Sequence, residues 1–276
     1  GMLSAVLGIW IVPQFGWQVM FYLAVIPLLL LPLIWTQLPD SVAFLVRQGK
    51  IAEARKVLAA LTGKPLPDDA ELAVHQPQKT EQSLAALFSN NRALSTLMFF
   101  QAFFMCLLMV YGLGSWLPKL MTMAGYGFGS SLMFLLFLNI GGIIGAIGGG
   151  WLSDRFHPRP VLMLFFTLAA VSLALLGFKS HVAVLYFLVT VAGATTIGSQ
   201  ILLYAYVAQF YPTAIRSTAL GWSSGVGRIG AILGPVLGGA LLAMQLSHQM
   251  NFLAFVVPGA LAVIAIMLTA GRKEAV

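Results

Sequence analysis

The chain has 276 residues, of which 59% are hydrophobic and only 8% charged, and its formal net charge is +7. A soluble globular domain carries about 25% charged residues, so this composition excludes a soluble protein and predicts a polytopic membrane protein. The basic excess does not indicate nucleic-acid binding, because the sequence offers no large soluble basic face.

The first twelve residues, Gly1 to Val12, are apolar but too few to cross a bilayer before Pro13 and Gly16 interrupt them. They lack a basic flank, so a signal peptide is not indicated. We expect this segment to be the end of an earlier helix, which means that the chain lacks its beginning.

Seven apolar stretches are long enough to be membrane-spanning helices and are bounded by charges, prolines and glycines. They lie at 18–36, 93–117, 130–152, 161–178, 182–207, 217–243 and 251–270.

The long polar segment 37–92 separates the first span from the others. Within it, apolar residues recur at helical spacing from Ile51 to Leu61, opposite charged residues, which predicts an amphipathic surface helix. The stretch from Gly63 to Lys79 is rich in proline and polar residues and predicts a flexible connector. The segment is too short for a soluble catalytic domain.

Basic residues are divided unequally between the two sides of the membrane. If the loop 37–92 is cytoplasmic, its side carries twelve Lys and Arg residues, and the other side carries only Lys119 and Lys179. Such an imbalance satisfies the positive-inside rule, and it places both the loop and the carboxyl terminus in the cytoplasm of a multi-pass inner-membrane protein that contacts anionic lipids.

Arg228 is the one charged side chain inside an apolar stretch. It follows Arg216 by twelve residues, which corresponds to about 18 Å along a helix and places it near the middle of the membrane. An arginine at that depth costs on the order of 3 kcal/mol or more and usually faces a cavity. The position predicts an anion site; the alternative is a structural arginine that caps carbonyls of a neighbouring helix.

Four segments of the sequence then resemble a known family: LPDSVAFLVRQGKIAEAR at 38–55, SWLPKLMTMAGYGFGSSLMFLLFLNIGGIIGAIGGGWLSDR at 115–155, GGGWLSDRFHPRP at 148–160 and YPTAIRSTALGWSSGVGRIGAILGP at 211–235. Together they are similar to the major facilitator superfamily, and most closely to its aromatic acid:proton symporter branch, which includes benzoate and 4-hydroxybenzoate permeases. Asp40, His157 and Pro158 depart from the usual loop patterns.

The resemblance implies an all-α transmembrane helical bundle of the major facilitator fold without its first four helices. Residues 1–36 would be the end of the N-terminal bundle, 37–92 the cytoplasmic central loop, and 93–276 the C-terminal six-helix bundle (helices 7–12). The implied function is a secondary active transporter that imports an aromatic carboxylate with a proton by alternating access. The alternatives are a permease for another organic anion and a truncated, non-transporting membrane module.

Polar residues at membrane depth are the candidates for substrate contact, and Arg228 could fork onto a carboxylate with two hydrogen bonds. Hydrogen bonding between helices explains several of the others equally well. The candidates are Arg228, Ser224, Gln200, Tyr204, Thr196, Asn139 and Tyr111. The resemblance further implies a conformational latch between the two halves of the transporter, formed by Gly150, Asp154, Arg155, Arg159 and Arg216; the alternative is a solvated loop whose charges only follow the positive-inside rule.

No Asp, Glu or His lies within any predicted span. A proton carrier inside the membrane needs a titratable side chain, so we expect this part to bind the anion while the absent helices bind the proton. Without a metal cluster or a nucleophile–base pair at membrane depth, the sequence predicts no enzyme, no cofactor and no metal site. The single Cys106 is expected to be a packing residue.

Overall fold

The computed structural model describes residues 2–23, 25–26, 28, 31–32, 40, 42–62, 84–178 and 180–269. The chain divides into two compact units, one formed by residues 1–14 with 80–276 and the other by residues 15–79.

The described part of the smaller unit contains three short helices, α2 (Gln18–Leu23), α3 (Val42–Arg47) and α4 (Ile51–Thr62). The last confirms the predicted surface helix: Ala54 on its apolar face is buried, and Lys50 before its first turn pairs with Glu53 at 4.0 Å. Eight of the nineteen residues of the predicted span 18–36, and the whole connector from Gly63 to Lys79, fall outside the described residues.

The larger unit begins with most of α1 (Met2–Phe15), which continues through Pro13 and ends before Gly16, a residue at φ +81°. The short α5 (Leu84–Phe88) then precedes a bundle of six long helices. These are α6 (Ala93–Met123), α7 (Phe128–Arg155), α8 (Pro158–Leu176), α9 (Val182–Phe210), α10 (Thr213–Ala243) and α11 (His248–Leu268).

All six long helices are sufficiently apolar to cross a membrane, so they confirm the last six predicted spans and the all-α membrane class. Several run further than predicted, since α10 begins at Thr213 rather than at residue 217. At about 1.5 Å per residue, a helix of 31 residues is about 46 Å long and extends beyond the hydrocarbon core on both sides.

Short connections alternate between the two ends of this bundle. One end, which we call the arginine-rich end, contains Arg92, Arg155, Arg159 and Arg216. The opposite end is formed by the connections 124–127, 177–181 and 244–247.

Glycines let two pairs of helices approach closely. Those at 141 and 145, and those at 230 and 234, have the spacing of four residues that is typical of such contacts. In the pair α7–α9, a methyl group added at Gly145 would collide with the Ala194 carbonyl, and one added at Gly193 would collide with the Leu138 carbonyl. Only hydrogen fits at these positions, so the backbones of the two helices are in direct contact.

The helices α6 and α10, which run in the same direction, pack against each other in the same way. A methyl group at Gly230 would meet the Phe104 carbonyl, and one at Gly234 would meet the Leu108 carbonyl. The Trp116 indole then donates a hydrogen bond of 2.7 Å to the Pro235 carbonyl. Together with the glycine contacts, this bond sets how far α10 is shifted along α6, and therefore which side chains of the two helices lie side by side.

Candidate functional site

Arg228 lies at the centre of α10, with fifteen residues of the helix before it and fifteen after it. Its side chain is exposed, and its Nη1 donates a hydrogen bond of 2.9 Å to the Tyr111 hydroxyl on α6. A guanidinium has five N–H donors, and this bond uses one of them. The Tyr111 hydroxyl accepts that bond, so its own O–H remains available as a donor. Several donors therefore converge at one point near the middle of the membrane.

The face of α10 around Arg228 is open. Gly221 and Gly225 are exposed, and the space beside each lacks any atom within 4 Å of an added methyl group. Ser224, between them, uses its hydroxyl to donate to the Gly221 carbonyl over 3.1 Å. The opposite face of α10 carries the buried glycines that contact α6. Arg228 is therefore a cation on the face of α10 that the bundle leaves open.

The predicted polar set on α9 is divided by the structure. Thr196 is buried, its hydroxyl donates to the Ala192 carbonyl over 2.7 Å, and its own carbonyl accepts from the Cys106 thiol at 3.6 Å. Both groups are thus used within the packed interior, and Cys106 is a buried packing residue. Gln200 and Tyr204, one and two turns further along, are only partly covered.

Neither of these two α9 residues makes a hydrogen bond to Arg228, and the Tyr204 ring packs edge-on against Phe103 with 5.0 Å between centroids. The Asn139 amide on α7 donates to the Leu135 carbonyl of its own helix over 2.7 Å. Of the seven predicted contact residues, the structure joins Arg228 and Tyr111 directly.

The predicted latch residues lie at the arginine-rich end. Asp154 and Arg155 are exposed in the last turn of α7, and the Arg155 guanidinium lies 5.6 Å from the centroid of the exposed Trp151 ring. An added methyl group at Gly150 would meet nothing within 4 Å. No described side chain forms an ion pair with Asp154. This exposed turn therefore presents one carboxylate and one cation to its surroundings.

Arg159 has a different environment, because it bonds within the bundle. Its Nη2 donates to the Met267 carbonyl near the end of α11 over 2.6 Å, while its backbone N–H donates to the His157 imidazole that caps α8. Arg216, in the first turn of α10, has a buried Nε without a hydrogen-bond acceptor among the described residues. The structure therefore uses Arg159 to hold two helix ends together.

A buried hydroxyl network at the same end was not predicted. The Tyr211 hydroxyl, between α9 and α10, is 2.7 Å from the Thr96 hydroxyl, which lies 2.7 Å from the Leu87 carbonyl of α5. Burial raises the pKa of Tyr211 despite the opposing effects of the Thr96 hydrogen bond and the Arg92 charge, so the phenol stays protonated at neutral pH. The signal in the sequence was a tyrosine at a helix boundary, which by itself indicates no partner.

Comparison with known proteins adds the family. The model of the Major Facilitator Superfamily matches residues 1–158 and 138–275. The benzoate transport protein of Acinetobacter baylyi is 45% identical over 99% of this chain and 59% of its own length. The gentisate transporter of Corynebacterium glutamicum is 37% identical over 92% of the chain and 53% of its own length.

A third relative, the 4-hydroxybenzoate transporter PcaK of Pseudomonas aeruginosa, is 36% identical over 94% of the chain and 59% of its own length. The chain thus spans somewhat more than half the length of these curated relatives. All three are named as transporters, which agrees with the prediction of a membrane protein that is not an enzyme. The similarity also confirms the resemblance found in the four sequence segments.

Proposed function

The chain belongs to the Major Facilitator Superfamily, and on that premise we propose that it is the carboxyl-terminal part of a secondary transporter that imports an aromatic carboxylate with a proton by alternating access. Its relatives are named for benzoate, gentisate and 4-hydroxybenzoate, each of which is a benzene ring with a carboxylate. The proposal therefore specifies a benzoate or hydroxybenzoate as the substrate.

The observation that supports this proposal most directly is the hydrogen bond from Arg228 to Tyr111 at membrane depth. An exposed guanidinium in the membrane is expensive unless water or an anion compensates it. Its remaining N–H groups can fork onto a carboxylate with two parallel bonds, and the Tyr111 hydroxyl can donate a third. A carboxylate offers about four lone-pair sites, enough to accept all three.

The aromatic ring of the substrate would then lie beside the open face of α10. The glycines at 221 and 225 leave space there, and Gln200 and Tyr204 on α9 are partly covered side chains that we assign to the ring or its hydroxyl groups. Ser224 would be a further donor once it turns from the Gly221 carbonyl. We assign Thr196 and Asn139 to the support of this pocket, since their own helices already engage them.

The proton would be carried by helices that precede this chain in the whole transporter. Among the described membrane helices, Asp154 in the last turn of α7 and His248 in the first turn of α11 are the only Asp, Glu or His residues, and neither lies near the middle of the membrane. Coupling then requires that anion and proton bind to different halves of one central cavity, which both halves enclose as they rock.

The latch would be formed by the exposed turn at the end of α7. Asp154 and Arg155 are free to contact the other half of the transporter in one conformational state, and Gly150 allows a close approach. We assign a supporting role to Arg159, which is engaged with the Met267 carbonyl, and to Arg216 at the same end.

The test is uptake of labelled benzoate and 4-hydroxybenzoate by the full-length protein at several external pH values, with Arg228→Lys and Arg228→Gln beside the wild type. Uptake that rises with external acidity and collapses in both variants, while the protein remains in the membrane, is the expected result. Lysine keeps the charge but not the planar fork, so its failure distinguishes a two-bond carboxylate site from a requirement for positive charge alone. Undiminished uptake in Arg228→Gln would make this arginine structural.

A further inference from the structure

The exposed positions on the second half of α6 fall on one line. From residue 111 to residue 119, the exposed side chains are Tyr111, Ser115 and Lys119, each four residues after the last. Residues four apart share a helix face, so Ser115 lies about 6 Å and Lys119 about 12 Å beyond Tyr111 along the helix. The line runs from the Arg228–Tyr111 pair to the opposite end of the bundle.

The charges at that end are all positive. The connections 124–127, 177–181 and 244–247 contain neither Asp nor Glu, and in the six long helices the one Asp or Glu is Asp154, at the arginine-rich end. An anion that approaches the opposite end therefore meets no repelling carboxylate among the described residues of the larger unit. Potentials of one sign at the mouth of a cleft raise the local concentration of a counter-ion and its rate of association.

Lys119 lies at the end of the bundle where membrane proteins have fewer lysines. Lysines concentrate on the cytoplasmic side of membrane helices, whereas Lys119 lies four residues before the end of α6 at the opposite end. Its side chain is exposed, and no described carboxylate forms an ion pair with it. Its ammonium is thus available to an anion from solution.

We propose that Lys119 is a capture site at the outer mouth of the transporter, where it holds the substrate carboxylate before the anion passes Ser115 and reaches Arg228. The proposal rests on the proposed function. An ammonium on a flexible stem is a point charge without a preferred binding geometry. That property suits a site that must collect an anion and release it, while the planar guanidinium at Arg228 suits the site that holds it.

The consequence is a division of kinetic roles between the two cations. Removal of Lys119 slows the encounter with external substrate and leaves the transport step unchanged, so KM rises while the maximal rate is preserved. The effect must weaken with salt, because charges in water are screened over about 8 Å at physiological ionic strength. Arg228 contacts the anion inside the membrane, so its loss lowers the maximal rate at every ionic strength.

The experiment measures initial uptake of labelled benzoate by the full-length protein against external concentration, at low and at high ionic strength. The variants are Lys119→Gln, Lys119→Glu and Lys119→Arg, with Lys179→Gln as the matched loss of one positive charge on the same side. We expect KM to rise about threefold to tenfold in Lys119→Gln at low ionic strength, and further in Lys119→Glu, with the maximal rate unchanged. Lys119→Arg and Lys179→Gln should resemble the wild type, and high salt should reduce the difference.

Two results would overturn this inference without affecting the proposed function. One is a wild-type KM in Lys119→Gln at low ionic strength, which would indicate that the ammonium only contacts lipid head groups. The other is a Lys119→Arg protein as impaired as Lys119→Gln in both KM and maximal rate, which would indicate a structural role. If the wild type takes up no aromatic acid, the proposed function fails first.

Discussion

Arg228 and Tyr111 are joined by a hydrogen bond of 2.9 Å although they are 117 residues apart in the chain. The bond ties the centre of α10 to α6 and limits the orientations of an otherwise mobile cation. Such restriction lowers the entropy lost when a ligand binds, because fewer rotamers must be immobilised. Tyr111 is therefore expected to orient Arg228 as well as to donate to the substrate.

Tyr111→Phe removes the hydroxyl and keeps the ring. We expect KM for benzoate to rise about fivefold, since one hydrogen bond to a charged group at an exposed site contributes about 1 kcal/mol after solvent screening. Concentration-dependent uptake by the full-length protein measures it. Tyr126→Phe is the matched control, because Tyr126 lies in the connection 124–127 at the end of the bundle, where its ring packs against Phe134 with 5.5 Å between centroids, whereas Arg228 lies at the centre of α10. Equal KM values for wild type and Tyr111→Phe would show that the hydroxyl neither orients the guanidinium nor binds substrate.

Gly145→Ala should destabilise the bundle, because the added methyl collides with the Ala194 carbonyl on α9. Overpacking of this kind costs about 1–3 kcal/mol. Gly148→Ala is the matched control on the same helix, where an added methyl would meet nothing within 4 Å. Thermal unfolding of the purified protein in detergent should show a lower midpoint for the first variant and an unchanged or higher one for the second. Equal midpoints would contradict direct backbone contact between α7 and α9.

The hydroxyl network at the arginine-rich end predicts an asymmetry between its two members. Tyr211→Phe removes one buried hydrogen bond, worth about 1 kcal/mol, and Thr96 keeps the Leu87 carbonyl as a partner. Thr96→Val leaves the Tyr211 hydroxyl without this partner, which costs about 1–3 kcal/mol. Thermal unfolding should therefore rank Thr96→Val below Tyr211→Phe, with the exposed Thr167→Val as the near-neutral control. The reverse order would argue against the network.

Raising the pH tests the same network. The pKa of Tyr211 is raised in the folded protein above its ordinary value of 10.0. The associated stabilisation is complete below pH 10 and is lost as the pH rises from the unfolded-state pKa through the higher folded-state pKa. The unfolding midpoint of the wild type should thus fall more steeply than that of Tyr211→Phe above pH 10. Parallel curves would mean that the phenol ionises as readily in the folded state.

Variants of Asp154 and Arg159 distinguish a role in the latch from a role in the stability of the bundle. Asp154→Asn changes an exposed carboxylate without an ion pair, so it should slow transport and leave the unfolding midpoint unchanged. Arg159→Gln loses the bond to the Met267 carbonyl and should lower the midpoint by the equivalent of about 1 kcal/mol. Uptake and thermal unfolding measured on both variants check this. A stability loss confined to Asp154→Asn would reverse the assignment.

The sequence by itself determined the membrane class, the six long spans, the arginines at one end of them and the position of Arg228 at the middle of α10. These properties depend on hydropathy and on position along a helix of known rise, which are local quantities. The spacing of four residues between the glycines at 141 and 145, and between those at 230 and 234, is also a local property, and both sets lie in close helix contacts because only small residues permit them.

Only the tertiary structure decided which of the polar residues meet. The period of a helix fixes the face on which a side chain lies but not the helix that faces it. Tyr111 was predicted to contact substrate, and its hydrogen bond with Arg228 arises because α6 and α10 pack in parallel at a depth set by glycines and Trp116. Thr196 had the same polar signature as Gln200, but its turn of α9 lies buried against α6.

Arg159 illustrates the same limit at the membrane surface. The resemblance of its segment to the family's loop implied a latch, but the partner of Arg159 within the bundle is the carbonyl of Met267, and any residue presents a backbone carbonyl. The type of residue at a position therefore does not predict a contact of that kind. The sequence therefore determined where the cations of this protein lie along its helices, and the packing of those helices decided which groups the cations bind.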